Sequence, residues 1–207
     1  MNKGLLITFE GPDGSGKTTQ IALIKEYLEK KGYEVVYTRE PGGTSISEKI
    51  RDIVLDNKND EMSDMCEALL YASSRAQLVH EVIRPALSEA KIVIMDRFVE
   101  SSIVYQGIGR KLGIDRVKSI NDAATEGLKP DITFLLTIPF EEGLKRKSEQ
   151  KTLDRLENSG KDFHKRVYEG YMGLAGSEDY IKVVNADRNV EQIHKDIVAI
   201  IEKAIIK

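Results

Sequence analysis

Gly11-Pro-Asp-Gly-Ser-Gly-Lys17-Thr18 matches G-x-x-x-x-G-K-[ST]. It lies between the apolar run Leu5–Phe9 and a helical pattern marked by Ile21, Leu23, Ile24, Tyr27 and Leu28. A chain with that order of parts must end a strand in a tight loop and open a helix immediately afterwards. Glycines let the backbone fold back, so successive N–H groups and the helix N-terminus converge on one point suited to phosphate oxygens. In this reading Gly11, Pro12, Asp13, Gly14, Ser15 and Gly16 form the cradle. Lys17 reaches the β- and γ-phosphates of a nucleoside triphosphate, and the Thr18 hydroxyl ligates Mg²⁺. A glycine-rich turn matching by coincidence would not need this strand before it and this helix after it.

The rest of the composition narrows what the nucleotide is used for. The chain has 207 residues, 41% of them hydrophobic, enough to bury the core of one domain spanning 1–207. Lys+Arg 31 against Asp+Glu 34 leaves a net charge of −3, a balance that argues against a nucleic-acid polymer as partner. The single cysteine, Cys66, excludes an internal disulfide and a cysteine-based zinc cluster, and its apolar surroundings predict a packed core thiol. No secretory or membrane-spanning stretch stands out, so the expectation is a soluble, cytoplasmic protein without a membrane partner.

Short apolar runs alternate with longer amphipathic ones, which predicts an α/β fold: a parallel sheet covered by helices on both faces. The expected strands are Leu5–Phe9, Glu34–Thr38, Lys91–Met95, Ile132–Thr137 and Ile181–Val184. Helices are expected at Lys17–Lys30, Ser47–Leu55, Asp64–Glu89, Ser101–Tyr105, Asp115–Glu126, Glu141–Lys147, Asp162–Leu174 and Val190–Lys203. Apolar periodicity lapses over 148–161, where charge is dense; the segment reads either as a solvated loop or as a short mobile lid.

Ligand sites in open parallel sheets lie at the carboxyl ends of the strands, which puts Asp96 and Arg97, after Lys91-Ile-Val-Ile-Met, beside the phosphate loop. Two readings stand for the pair: a local ion pair, or Asp96 on Mg²⁺ and Arg97 on a second phosphate. Phosphoryl transfer needs cationic help at the transferring group. The loop's variable positions supply none, and the acidic Asp13 suits a neutral partner such as a sugar hydroxyl. The expected source of the missing charge is Arg155 in Asp154-Arg-Leu-Glu157, with Lys145, Arg146, Lys147 and Lys151 upstream; the competing reading is a solvated surface arginine.

A second cluster suggests an acceptor pocket. Arg39-Glu-Pro41-Gly-Gly-Thr44 forms a sharp loop, and Arg39 or Arg51 could meet an acceptor phosphate. Tyr71 and Arg75 share one helical face, as a base-stacking ring and an edge-reading guanidinium would, or as a core tyrosine beside a surface arginine. Ser102, Tyr105 and Gln106 add groups at the same end. Asn57-Lys-Asn-Asp60 imitates a guanine-reading motif but follows a helix rather than a late core strand. A GTPase-like switch and a kinase of another acceptor are the competing function classes.

Phe9–Thr19, Thr38–Thr44, Leu69–Arg75, Asp96-Arg-Phe98, Ser101–Gly107 and Asp154-Arg155 together resemble the bacterial thymidylate kinase family, in order and spacing, along nearly the whole chain. The resemblance implies a doubly wound five-stranded sheet of the P-loop NTPase kind that transfers the γ-phosphoryl group of ATP to dTMP with Mg²⁺. It implies Asp13 on the 3′-hydroxyl and Arg97, with Arg39 or Arg51, on the acceptor phosphate. Tyr71 would stack on thymine, Arg75 would bond its O4 edge, Ser102 and Gln106 would line the base pocket, and Tyr105 would crowd the 2′ position. It further implies a catalytic arginine in the lid, Arg155, and a homodimer. The chain departs from the family pattern at Tyr71, where phenylalanine is usual: stacking survives, and the hydroxyl needs a partner.

Overall fold

The computed structural model describes residues 4–148 and 153–205. Its centre is a five-stranded parallel sheet in the order β2-β3-β1-β4-β5. The strands are β1 Leu5–Glu10, β2 Val35–Arg39, β3 Ile92–Asp96, β4 Ile132–Thr137 and β5 Ile181–Asn185. β1 pairs with β3 on one side, from Leu5 opposite Ile92 to Phe9 opposite Asp96, and with β4 on the other. The loop leaving β1 leads towards β2 on one side, whereas that leaving its neighbour β3 leads towards β4 on the other, so the crevice at which open α/β sheets bind ligands lies at the carboxyl ends of β1 and β3.

Alternation along β1 explains why helices cover both faces. Leu5, Ile7 and Phe9 pack on one side with Ile21, Ile24 and Leu28 of α1 (Lys17–Lys30) and with Ile193, Ile197 and Ile201 of α9 (Val190–Ile205). Leu6 points the other way, joining Val93 and Met95 beneath Leu78, Val79, Ile83 and Phe98. Each such side chain, fully buried, contributes about 1.5–3 kcal/mol of hydrophobic stabilisation. α1 stops where expected because Gly32 takes φ 86°, with Gly32 N–H bonding the Glu29 carbonyl and Tyr33 N–H the Leu28 carbonyl.

The expected helix Asp64–Glu89 is not continuous. It comprises α3 Asp64–Leu78, a π-helical turn Val79–Ile83 and α4 Arg84–Ser88. Pro85 has no N–H to give the preceding turn, and the widened turn absorbs that break. Likewise the expected helix Ser101–Tyr105 is α5 Val99–Ser102 followed by a wider π turn, Ile103–Gly109. The other expected helices appear as α2 Ser45–Leu55, α6 Ile114–Thr125, α7 Phe140–Ser148 and α8 Lys161–Leu174. Cys66 is a correction: it is exposed on α3, because the buried face of that helix runs through Glu67, Ala68 and Ala72 instead. Of the expected lid, Leu153–Gly160 forms turns between α7 and α8, and Lys151 lies outside the described residues. Among the described residues no helix is long and apolar enough to cross a membrane.

Candidate active site

The phosphate loop is built by close contact. Gly11 (φ 134°) passes so near β4 that an added Cβ would stand 2.3 Å from the Leu136 carbonyl oxygen, so no other residue fits. Gly14 and Gly16 also take positive φ, and Gly16 caps α1. Lys17 is buried inside the turn, its Nζ donating to the carbonyls of Gly11 at 2.9 Å and Pro12 at 3.0 Å. Burial, reinforced by the Arg97 charge, lowers its pKa to about 8, against the pull of Asp13, Asp96 and Glu10. The buried Ser15 hydroxyl has no partner, leaving a donor inside the cradle for an incoming anion. Among the described residues no three His, Cys, Asp or Glu side chains converge as a metal site. Oxygen donors are available instead from Asp96, which lines the cavity at the end of β3, and from Thr18, exposed on the first turn of α1. That donor set suits a Mg²⁺ ion that keeps water and phosphate oxygens as most of its ligands.

Arg97 stands between this loop and a cavity of about 240 Å³. Its φ of 69° turns the chain sharply at the end of β3. From there Nη1 donates to the Gly11 carbonyl (3.1 Å), the Ser101 hydroxyl (3.2 Å) and the Tyr171 hydroxyl (2.8 Å), while Nη2 reaches Asp13 Oδ1 at 2.5 Å. The guanidinium also lies 5.3 Å from the centre of the Tyr105 ring. Asp13, expected opposite a neutral group, is therefore paired with a cation in this structure. Glu10, buried at the end of β1, braces the turn. It accepts from the N–H groups of Phe98 (2.7 Å) and Ser101 (3.2 Å) and from the hydroxyls of Ser101 (2.6 Å) and Tyr171 (3.2 Å).

All ten residues expected on the acceptor side border this cavity: Asp13, Arg39, Pro41, Arg51, Tyr71, Arg75, Arg97, Ser102, Tyr105 and Gln106. Arg39 is a bidentate partner of Glu48, at 3.1 Å for both contacts, and both Arg39 and Arg51 donate to the Pro41 carbonyl at 2.9 Å. That leaves Arg51 the less committed of the two. Arg75 is not a surface arginine: it is 1% exposed, and all five of its N–H groups are used inside the protein. Nε and Nη2 go to Glu40 Oε2, Nη1 to Ser102 Oγ (3.0 Å) and Asn121 Oδ1, and Nη2 also to the Phe98 carbonyl (2.9 Å). To read a base edge it must share one of these bonds. Burial raises the Glu40 pKa to about 7 even against the Arg75 charge. Tyr71 lines the cavity, its hydroxyl finds no hydrogen-bond partner among the described residues, and burial raises its pKa.

Arg155, expected to swing over the donor phosphates, is held away from the phosphate loop in this structure. Its Nε donates to the Val54 carbonyl at 2.9 Å and its Nη2 to Glu67 Oε2 at 2.6 Å, because a buried carboxylate on α3 captures it. Besides Arg97, Arg146 of α7 touches the loop, its Nη1 donating to the Gly14 carbonyl at 3.3 Å. Sequence reasoning also missed Glu40, Glu67 and Glu10. Glu67 had a readable signal: it precedes Tyr71 by one helical turn and Arg75 by two, on the same face. Asn57, in the polar loop after α2, donates to the Leu153 carbonyl at 2.9 Å.

Comparison with known proteins adds an independent line. The thymidylate kinase family model matches residues 9–197. The chain is 50% identical over 204 residues to the thymidylate kinase of Thermoanaerobacter sp. (strain X514), covering 97% of this chain and 98% of that protein. It is 48% identical over 199 residues to the thymidylate kinase of Finegoldia magna, covering 96% and 98%. Among solved structures, the thymidylate kinase of Ehrlichia chaffeensis superposes with a TM-score of 0.78 at 32% identity, covering 96% of this chain and 98% of that one.

Proposed function

The chain belongs to the thymidylate kinase family and phosphorylates dTMP, and we propose that the two halves of the cleft are its ATP and dTMP sites. The observation that carries the assignment is Arg97, whose guanidinium touches both the Gly11 carbonyl of the phosphate loop and Asp13 at the cavity wall. A cation in that position faces the donor's terminal phosphate and the acceptor's phosphate together.

The backbone of residues 11–16 receives the triphosphate, and Lys17 exchanges its bonds to the Gly11 and Pro12 carbonyls for bonds to the β- and γ-phosphates. Thr18 and Asp96 would hold Mg²⁺, which when bound neutralises charge between the β- and γ-phosphates. Arg97 orients the acceptor phosphate, with Arg51 nearer to hand than Arg39. Asp13, once released from Arg97, accepts the 3′-hydroxyl. Tyr71 stacks on thymine between Gln106 and Ser102, Arg75 meets the base edge by sharing the bond it gives Ser102, and Tyr105 closes the 2′ side. No general base is needed, since an acceptor phosphate oxygen is already ionised near neutral pH. Catalysis then rests on positioning and on cations at the transferring group.

The test is product formation by the purified protein with Mg²⁺-ATP and dTMP, dUMP, CMP, AMP or GMP, plus a control without acceptor. Strong preference for dTMP is expected. Preference for another acceptor would overturn the base-pocket assignment, and phosphate release without any acceptor would overturn the kinase reading.

A further inference from the structure

Glu67 takes no part in that scheme, yet it is fully buried and accepts four hydrogen bonds. Oε1 receives Gln106 Nε2 at 3.0 Å and Arg110 Nε at 3.2 Å; Oε2 receives Arg110 Nη2 at 3.0 Å and Arg155 Nη2 at 2.6 Å. Three distant segments thus meet on one carboxylate: α3, which carries Tyr71; the π turn, which carries Gln106; and the chain after residue 152. The end of α2 holds the last of these as well. The Arg155 side chain and backbone N–H donate to the carbonyls of Val54 (2.9 Å) and Leu55 (3.2 Å), and Asn158 Nδ2 donates to Asn57 Oδ1 at 2.7 Å. The segment so held supplies Asp154, Leu156 and Glu157 to the cavity wall, with Leu156 seated among Val104, Tyr105 and Phe163.

We infer that Glu67 is a latch for the acceptor cavity, holding residues 153–158 in place as its roof through Arg155 while fixing Gln106 from behind. The inference rests on the reading of that cavity as the dTMP site. Arg155 is then a positioning residue, not a cation on the transferring phosphoryl group. Geometry favours this assignment. Arg155 directs its Nε and Nη2 to α2 and α3, whereas Arg146, also on this side of the cleft, contacts the Gly14 carbonyl of the phosphate loop. The carboxylate is poised to couple the two walls: anything that loosens Arg155 also removes a partner from the group that orients Gln106.

The test combines steady-state kinetics at saturating Mg²⁺-ATP with amide hydrogen exchange in Arg155→Ala and Glu67→Gln. Arg155→Ala is expected to raise the KM for dTMP about tenfold while kcat stays within about threefold. Amides of 153–158 should exchange about tenfold faster in both variants, and the double variant should be little worse than either single one. A fall in kcat of order 10³ at unchanged KM would overturn the inference, because that is the signature of an arginine on the transferring group. Unchanged exchange in both variants would overturn it too. If Glu67→Gln does not fold, Asn158→Ala on the exposed rim replaces it: KM and exchange rising together support the latch, and neither moving refutes it. Failure of the unmodified protein to saturate with dTMP would instead overturn the acceptor-site reading, while exchange would still decide whether Glu67 holds the roof.

Discussion

The two halves of the cleft satisfy their polar groups by different means. In the donor half Lys17 is held by carbonyls five and six residues away, and the Ser15 hydroxyl inside the cradle has no partner. In the acceptor half Arg75 reaches across 23 to 46 residues to Phe98, Ser102, Glu40 and Asn121, with all five donors used. The donor half is a local device with unspent hydrogen-bonding capacity. The acceptor half is a preorganised wall whose charges also hold the fold together. Where capacity is unspent, a substitution should affect chemistry; where it is spent, stability.

Arg75→Met and Lys17→Met test that contrast most severely. Arg75→Met leaves Glu40 buried without its cation and should cost about 3–5 kcal/mol in urea unfolding. Lys17→Met removes a buried ammonium whose burial lowers its pKa to about 8. It should leave stability unchanged or higher by up to about 2 kcal/mol, while kcat falls by a factor of order 10³. A large stability loss in Lys17→Met would break the comparison.

A smaller effect should appear in the pH dependence of stability. Glu100 is buried on α5, accepts from the Tyr180 hydroxyl at 3.0 Å, and has its other oxygen unpartnered. Burial, then the nearby Glu10 carboxylate, raises its pKa from 4.5 to about 7. A carboxyl whose folded pKa is raised stabilises fully below the unfolded value and loses that contribution as pH rises through the folded one. Unfolding free energy should therefore fall between pH 5 and pH 8, and Glu100→Gln should make the fall smaller by about 2 kcal/mol. Part of the fall should persist, because Glu40 titrates in the same window. An identical fall in Glu100→Gln would show that the buried acid does not titrate there.

The smallest change concerns Tyr71. Its hydroxyl makes no hydrogen bond, so Tyr71→Phe should shift the KM for dTMP by less than about twofold, under about 0.5 kcal/mol. A larger rise would mean that the hydroxyl acquires a partner when the nucleotide binds.

What could be read early, and what could not, follows the same division. The five strands were legible because β1, β3 and β4 are buried on both faces and appear as unbroken apolar runs. The breaks at Val79–Ile83 and Ile103–Gly109 were less legible, since a π turn keeps the helical pattern of apolar residues while widening it. Cys66 was misplaced for a related reason: the buried face of α3 includes a carboxylate, Glu67, at a position expected to be apolar. The residues around the acceptor cavity were found by type and order, but their partners were not, because Glu40, Glu67 and Glu10 act across the fold.

The sequence by itself determined the phosphate loop and the parallel α/β architecture, and it named ten of the residues that face the cavity. Glycine spacing, apolar runs and helical periodicity are short-range facts, set by backbone sterics within a few residues. Only the tertiary structure decided how the charges pair. It gave Arg97 to Asp13, Arg75 to Glu40, and Arg155 to Glu67 rather than to the phosphate loop. A buried charge takes the counter-charge that folding brings within about 3 Å, and sequence distance carries no information about that.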